Sequence, residues 1–310
     1  MSTAKSRYDA LSSGRNQFLQ TAVDASKLTL PYLIKQDEED SNYKTLITPW
    51  QSVGAKGVTT LASKLMLALL PPQTSYFKLQ IDESTILSGE LDPAIRSDLD
   101  ASFAKIERTI LESIAASDDR VVIHQAIKHL VVSGNALVYM DKDKLKLYPL
   151  SRYVVERDGL GNVIEIVTKE KVHRSLIKGM LKDLDATEVN RVDDESTGYS
   201  REDADVYTII KRDNNRFVWH QEVYDKIIPN SQGKAPLDTS PWLPLRFNTV
   251  DNEAYGRGRV EEFMGDLKSL EALSQAICEG SAAAAKVVFT VSPSSTTIPS
   301  TLAAAGNGAI

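Results

Sequence analysis

The chain has 310 residues and a formal net charge of −6, from 36 Lys and Arg against 42 Asp and Glu; with 42% apolar and 25% charged residues its composition is ordinarily globular, which excludes disorder over most of its length. With this acidic balance the chain does not read as a non-specific DNA binder, which would need a clustered basic face. The single cysteine, Cys278, excludes an internal disulfide and a zinc site built on cysteine pairs, and fits a reducing compartment.

At roughly 150 residues per domain, the length suggests about two domains. Met1 to Asp9 leads into a polar stretch without the apolar centre of a signal peptide. Residues 7–28 carry Leu11, Phe18, Leu19 and Val23 among polar residues and predict an amphipathic helix. An acidic patch, Asp37 to Asp40, reads as a solvated loop or, less simply, as part of a carboxylate metal site.

Thr48-Pro49-Trp50-Gln51 reads as a capping box with proline at the first helical position, so a helix is predicted over 49–70. Val53, Gly57, Val58, Leu61, Leu65, Met66 and Leu69 form its apolar stripe, and Leu65, Met66 and Leu69 are expected in the core. Pro71-Pro72 stops the helix. Its most apolar part, Val58 to Leu70, is too short and too polar for a membrane span of about 20 residues. Gly54 and Gly57 each cost about 1 kcal/mol against Ala in a helix, which predicts close packing of another backbone.

Asp92-Pro93 opens a predicted helix over 93–116 with Ile95, Leu99, Phe103, Ile106, Ile110 and Ile114 on one face. Ser117-Asp118-Asp119 opens another over 119–133, closed by Gly134-Asn135 with a left-handed signal. His124 and His129 fall on different faces of it and do not resemble a zinc pair. From Ala136 the apolar period becomes two. Strands are predicted at 136–140, 144–150, 153–157 and 163–167, the last two joined by the Gly-rich turn 158–162. A strand follows those glycines, so a phosphate loop is disfavoured.

Residues 182–205, with nine carboxylates against Lys182, Arg191 and Arg201, read as an exposed insertion. A hairpin, 206–212 with 217–223, and a proline-containing edge strand, 242–247, follow. After Tyr255-Gly256-Arg257-Gly258, Val260, Phe263, Met264, Leu267, Leu270, Leu273 and Ile277 repeat at threes and fours toward the small-residue tract Gly280 to Ala285. A continuous helix from Arg259 to Val288 would be a rod of about 45 Å. The tail, residues 292–310, has no periodicity.

No nucleophile elbow, Walker loop, HExxH or Cys/His ligand set is present, and His173 and His220 have no spaced partner. The residues alone therefore point to an α+β protein with a long helix near residue 270. Three functional classes stay open: a structural assembly protein, a carboxylate-metal enzyme acting on nucleic acid through Asp37 to Asp40 or Asp193 to Glu195, and a monomeric interaction module.

Four stretches, in order, resemble the portal (head-to-tail connector) proteins of short-tailed, T-odd-type bacteriophages. They are Thr48 to Gly57 running on to Leu69, Leu130 to Tyr139, Leu147 to Asp158 with Gly161-Asn162-Val163, and Tyr255 to Gly258 with Glu261-Glu262 and Gly265 to Glu271. The resemblance implies a portal fold. Residues 1–255 would be a mixed helical and β-hairpin wing, 256–289 the first stem helix, and 290–310 the start of a clip. Family members are longer, so the chain is expected to be truncated or shortened.

The resemblance further implies a ring of twelve subunits at one capsid vertex. Its channel would pass double-stranded DNA without sequence specificity. Its partners would be major capsid and scaffolding proteins, the terminase large subunit and tail adaptor proteins, in the host cytoplasm and then the virion. It implies no catalytic residue, cofactor, metal or membrane. Arg257, Arg259, Glu262, Asp266, Lys268 and Glu271 are the expected polar contacts to neighbouring subunits and capsid, with solvated helix charges as the plainer reading.

Overall fold

The computed structural model of the chain describes residues 3–34, 47–71, 74–80, 93–141, 144–173, 176 and 203–285. The acidic patch Asp37 to Asp40, most of the acidic stretch 182–205 and the expected clip lie outside them. Helix α1, Ala4–Leu28, starts slightly earlier than its apolar period suggests, because Thr3 caps it and the buried Glu222 carboxylate accepts the Ala4 N–H at 2.6 Å. Helix α2 is Val53–Leu69, α3 Pro93–Ala116 and α4 Asp119–Ser133. As expected, α4 ends on Gly134 at φ +74°, a conformation open to glycine at little cost.

The capping box at Thr48 does not form. Helix α2 begins at Val53, and Ser52 makes no side-chain cap bond. Gln51 does the capping from one residue further out: its Oε1 accepts the Gly54 N–H at 2.9 Å, and its Nε2 donates to Leu28 O at 2.7 Å. One side chain thus satisfies an orphan carbonyl at the end of α1 and an orphan N–H at the start of α2. The close approach expected of Gly54 is present, since a Cβ there would lie 2.5 Å from Leu28 O; Gly57 has nothing within 4 Å. Met66 is buried and Leu65 packs against the core, but Leu69 is exposed, contrary to expectation, because the stripe turns outward at the end of α2.

Two antiparallel sheets follow. Strands β1 (Asn135–Met140), β2 (Leu145–Tyr148) and β9 (Trp242–Arg246) form the first, ordered β2-β1-β9. The expected edge strand is therefore an edge, though it pairs with a strand about a hundred residues earlier. The second sheet is ordered β3 (Tyr153–Arg157), β4 (Val163–His173), β5 (Asp203–Asp213), β6 (Arg216–Val223) and β7 (Lys226–Ile227). Strand β8 (Gly233–Pro236) also pairs with β6. The last three residues of the expected acidic insertion, 203–205, belong to β5, where the ladder with β4 continues. His220, expected to lack a spaced partner, has its Nε2 2.9 Å from Glu222 Oε1.

The main core joins Ala22, Val23, Val58, Ala62, Ile127, Val131 and Val132 of three helices to Leu137, Tyr153, Ile166, Ile210 and Trp242 of both sheets. This is an α+β fold, as expected. Helix α3 lies outside this core: Ile106 and Ile110 of its stripe are exposed. The outer edge of β3 is buried under side chains. Arg15 Nη1 donates to the Ser151 and Tyr153 carbonyls at 3.2 and 3.3 Å, and Tyr8 OH donates to Ser151 O at 3.0 Å.

The expected rod from Arg259 to Val288 is broken. A single turn, α5 (Arg259–Glu262), closes when the Phe263 N–H bonds Val260 O at 3.0 Å, and Phe263 sits at φ −105°, ψ 10°. Helix α6, Met264–Ala284, then runs 21 residues, about 32 Å. Residues 286–288 lie outside the described region. Val260 is buried and Met264 and Leu267 pack against the core, whereas Phe263, Leu273 and Ile277 are exposed.

Candidate functional site at the root of the long helix

The segment leading into α5 crosses the end of α4 at backbone distance. A Cβ on Gly134 would lie 2.3 Å from the Arg257 carbonyl carbon, one on Gly258 2.4 Å from Val132 O, and one on Gly256 2.6 Å from Gly134 O. No side chain fits at these three positions, and the crossing brings polar backbone groups into the core that need partners. Asn135 supplies them. Its Oδ1 accepts the Gly256 N–H at 2.7 Å, and its Nδ2 donates to Gly256 O at 2.7 Å and Ser133 O at 2.8 Å. Phe247 N–H closes the crossing on Gly134 O at 2.9 Å.

Tyr255 and Arg157 join the same root to the second sheet. The buried Tyr255 hydroxyl accepts the Val155 N–H at 3.0 Å, and burial pushes its pKa up to about 12. Arg157 donates to three carbonyls, Ala254 at 3.0 Å, Gly161 at 2.9 Å and Pro244 at 2.8 Å. Burial, and then the nearby Arg246 charge, bring its pKa down to about 10. With carbonyls rather than a carboxylate as its partners, this guanidinium works as a fixed clamp of donors.

Of the expected contact residues, four find partners within the chain. Arg257 Nε donates to Glu253 at 2.8 Å and Nη1 to Glu261 at 2.7 Å, while its guanidinium lies 4.9 Å from the Phe18 ring centre. The hydrogen bond to Glu253 holds the Arg257 pKa above its ordinary value and the Glu253 pKa below its own. Arg259 pairs with Glu262, which also accepts from Asn248 Nδ2 at 3.3 Å. Glu271 accepts the N–H groups of Trp50 at 2.8 Å and Gln51 at 3.3 Å. That carboxylate takes the donors the expected capping box would have used, which is why α2 starts four residues late. Asp266 and Lys268 are exposed and make no ion pair among the described residues.

Sequence reasoning left out Asn135, Arg157, Glu253 and Tyr255. Their signal was present all the same, because three of the four lie inside the stretches that carry the family resemblance. The tertiary structure brings all four stretches to one place: Gln51 and Trp50 on Glu271, Asn135 on Gly256, and Val155 on Tyr255.

Among the described residues no cluster of His, Cys, Asp and Glu is arranged to hold a metal ion, and no helix is long and apolar enough to cross a membrane. The acidic stretches considered for a metal-dependent enzyme lie outside those residues.

A family model described as "Bacteriophage head to tail connecting protein" matches residues 1–308. The portal protein of Enterobacteria phage T3 is 37% identical over 314 residues, covering 98% of this chain and 57% of that protein. The portal protein of Escherichia phage T7 is 35% identical with the same coverage. That of Pseudomonas phage phiKMV is 29% identical over 83% of this chain and 50% of its own length. The chain thus spans little more than half the length of the curated relatives it matches.

Proposed function

This chain belongs to the bacteriophage head-to-tail connecting protein family, and from that premise we propose that it is the subunit of a portal ring of twelve copies at one capsid vertex. The ring's axial channel passes double-stranded DNA inward during packaging and outward during ejection. Terminase docks on it first through its large subunit, and tail adaptor proteins dock later. Major capsid and scaffolding proteins surround it during assembly in the host cytoplasm, and the finished ring resides in the virion.

In this reading residues 1–255 are the wing, 256–289 the first stem helix and 290–310 the start of the clip. The role is structural and uses neither catalysis nor a cofactor. Arg257, Arg259, Glu262 and Glu271 brace the root of the stem, while Asp266 and Lys268 meet a neighbouring subunit or the capsid.

The observation that carries the reading is that the four family-like stretches converge on the root of one projecting helix. A connector needs such a rigid joint between a globular body and a rod. The acidic balance of the chain supports the DNA role as well. A basic wall would hold phosphates by releasing their counterions, whereas an acidic one lets the duplex slide.

Negative-stain imaging of the full-length protein tests the proposal. Rings with a central hole are the expected result, and a strictly monomeric full-length protein in low salt would overturn it.

A further inference from the structure

Beyond its root, α6 is bare. Every residue from Gln275 to Ala285 is exposed, and Leu273 and Ile277 are 62% and 66% exposed. A helical segment of roughly three turns without tertiary contacts is marginal in water, so it needs a cover that the described residues do not supply.

A second uncovered surface starts at the foot of this helix. Glu271 fixes the 50–51 backbone, and from there Trp50 and Val53 stand 53% and 59% exposed. Val53, Lys56, Thr60, Lys64 and Leu67 then follow at spacings of three and four, all exposed, so they share one face of α2. The two surfaces have opposite charge. Helix α2 carries Lys56 and Lys64 and no carboxylate, while the bare half of α6, Gln275 to Ala284, carries Glu279 and no basic residue. Both are exposed in the same chain, so they do not cover one another within it.

We propose that the face formed by Trp50, Val53 and Lys56 of one copy receives the projecting half of α6, through Leu273 and Ile277, of the next copy. The proposal rests on the ring reading above and assigns the ring's contact faces. Two different patches meeting head to tail is the arrangement that closes identical subunits into a ring. Trp50 has the size and rigidity of an interface anchor. Lys56 against an acidic helix fixes the register and disfavours contact between like faces. Gly280 and Ala282 to Ala284 let the neighbouring backbone approach closely. Glu271 is then a positioning residue, holding the segment that presents Trp50.

Cysteines placed on the two faces make the contact testable in the full-length protein, with its native cysteines, Cys278 among them, replaced by serine. Val53→Cys and Ile277→Cys then place one thiol on each of the proposed faces, since Ile277 shares a face with Leu273 whereas Cys278 lies about 100° further round the helix. On mild oxidation this double variant is expected to give a ladder of disulfide-linked multimers on a non-reducing gel. The ladder should vanish when either introduced cysteine is left out, since a variant with one thiol stops at dimers. Trp50→Ala should need at least tenfold more protein to assemble, with the melting of the dissociated chain unchanged. Rings without a ladder, or a Trp50→Ala protein that assembles at the wild-type concentration, overturn the assigned faces and leave the ring itself standing. A wild-type protein that forms no ring removes both.

Discussion

The Asn135 side chain and the Gly256 peptide exchange two hydrogen bonds, both 2.7 Å long, across a sequence separation of 121 residues. An asparagine amide has the same donor and acceptor pair as a peptide group, so it docks on Gly256 as a neighbouring β-strand would. Removing it would strand one buried N–H and one buried carbonyl. Each such orphan costs about 1–3 kcal/mol. Asn135→Ala is expected to lose about 3 kcal/mol of stability in chemical denaturation, and Asn135→Asp to lose a similar amount because its acceptor would face Gly256 O. A loss under about 0.5 kcal/mol for both would remove this pair from the joint.

Two glycines make a contrasting pair. Gly258→Ala would drive a methyl to 2.4 Å from Val132 O, so the crossing must open; at Gly57, on the exposed face of α2, nothing lies within 4 Å. Gly57→Ala is expected to stabilise by up to about 1 kcal/mol through helix propensity. Gly258→Ala is expected to destabilise by more than about 2 kcal/mol or to prevent soluble expression. Equal melting temperatures for the two variants would contradict the packing described here.

Glu271 ties α6 to the segment ahead of α2 through the Trp50 and Gln51 N–H groups. Hydrogen exchange at those two amides reads the tie directly. Glu271→Ala should speed their exchange by about tenfold, the equivalent of about 1.4 kcal/mol, while amides in the middle of α4 keep wild-type protection. Glu271→Gln retains an acceptor and should fall between the two.

His129 is buried in α4, and burial lowers its pKa from 6.5 to about 4. The unfolded chain therefore binds a proton that the folded chain refuses. This contribution is fully present above about pH 6.5 and is lost as the pH falls toward 4. A shift of that size corresponds to about 3 kcal/mol at most. Burial, with Lys128 nearby, lowers the His124 pKa as well, so its contribution has the same sign. His129→Leu should flatten the slope of stability between pH 6.5 and 4.5 in urea denaturation. An unchanged slope would show that His129 does not set it.

Much of the local structure was legible in the sequence because its causes are local. Gly134 ends α4 because only glycine takes φ +74° cheaply, and the 158–162 turn closes because the Asp158 carboxylate accepts the Leu160 and Asn162 N–H groups at 3.0 and 2.7 Å. The β-hairpins followed from alternation of apolar residues. The start of α2 departs from the local signal because the Trp50 and Gln51 N–H donors are claimed by Glu271, a residue 221 positions away from Trp50. The continuous rod was misread because apolar spacing does not register the turn at Phe263, where the backbone closes three residues back on Val260.

Local patterns along the chain were enough for the α+β class, most element boundaries and, through four short stretches, the family. It could not say what those stretches are for, since each looks like an ordinary cap, turn or strand. That they meet at one joint is visible in the folded chain alone. Backbone contact at Gly134, Gly256 and Gly258, and hydrogen bonds spanning a hundred residues or more, depend on where the chain returns in space. That placement is set by packing of the whole core, and no local period or propensity encodes it.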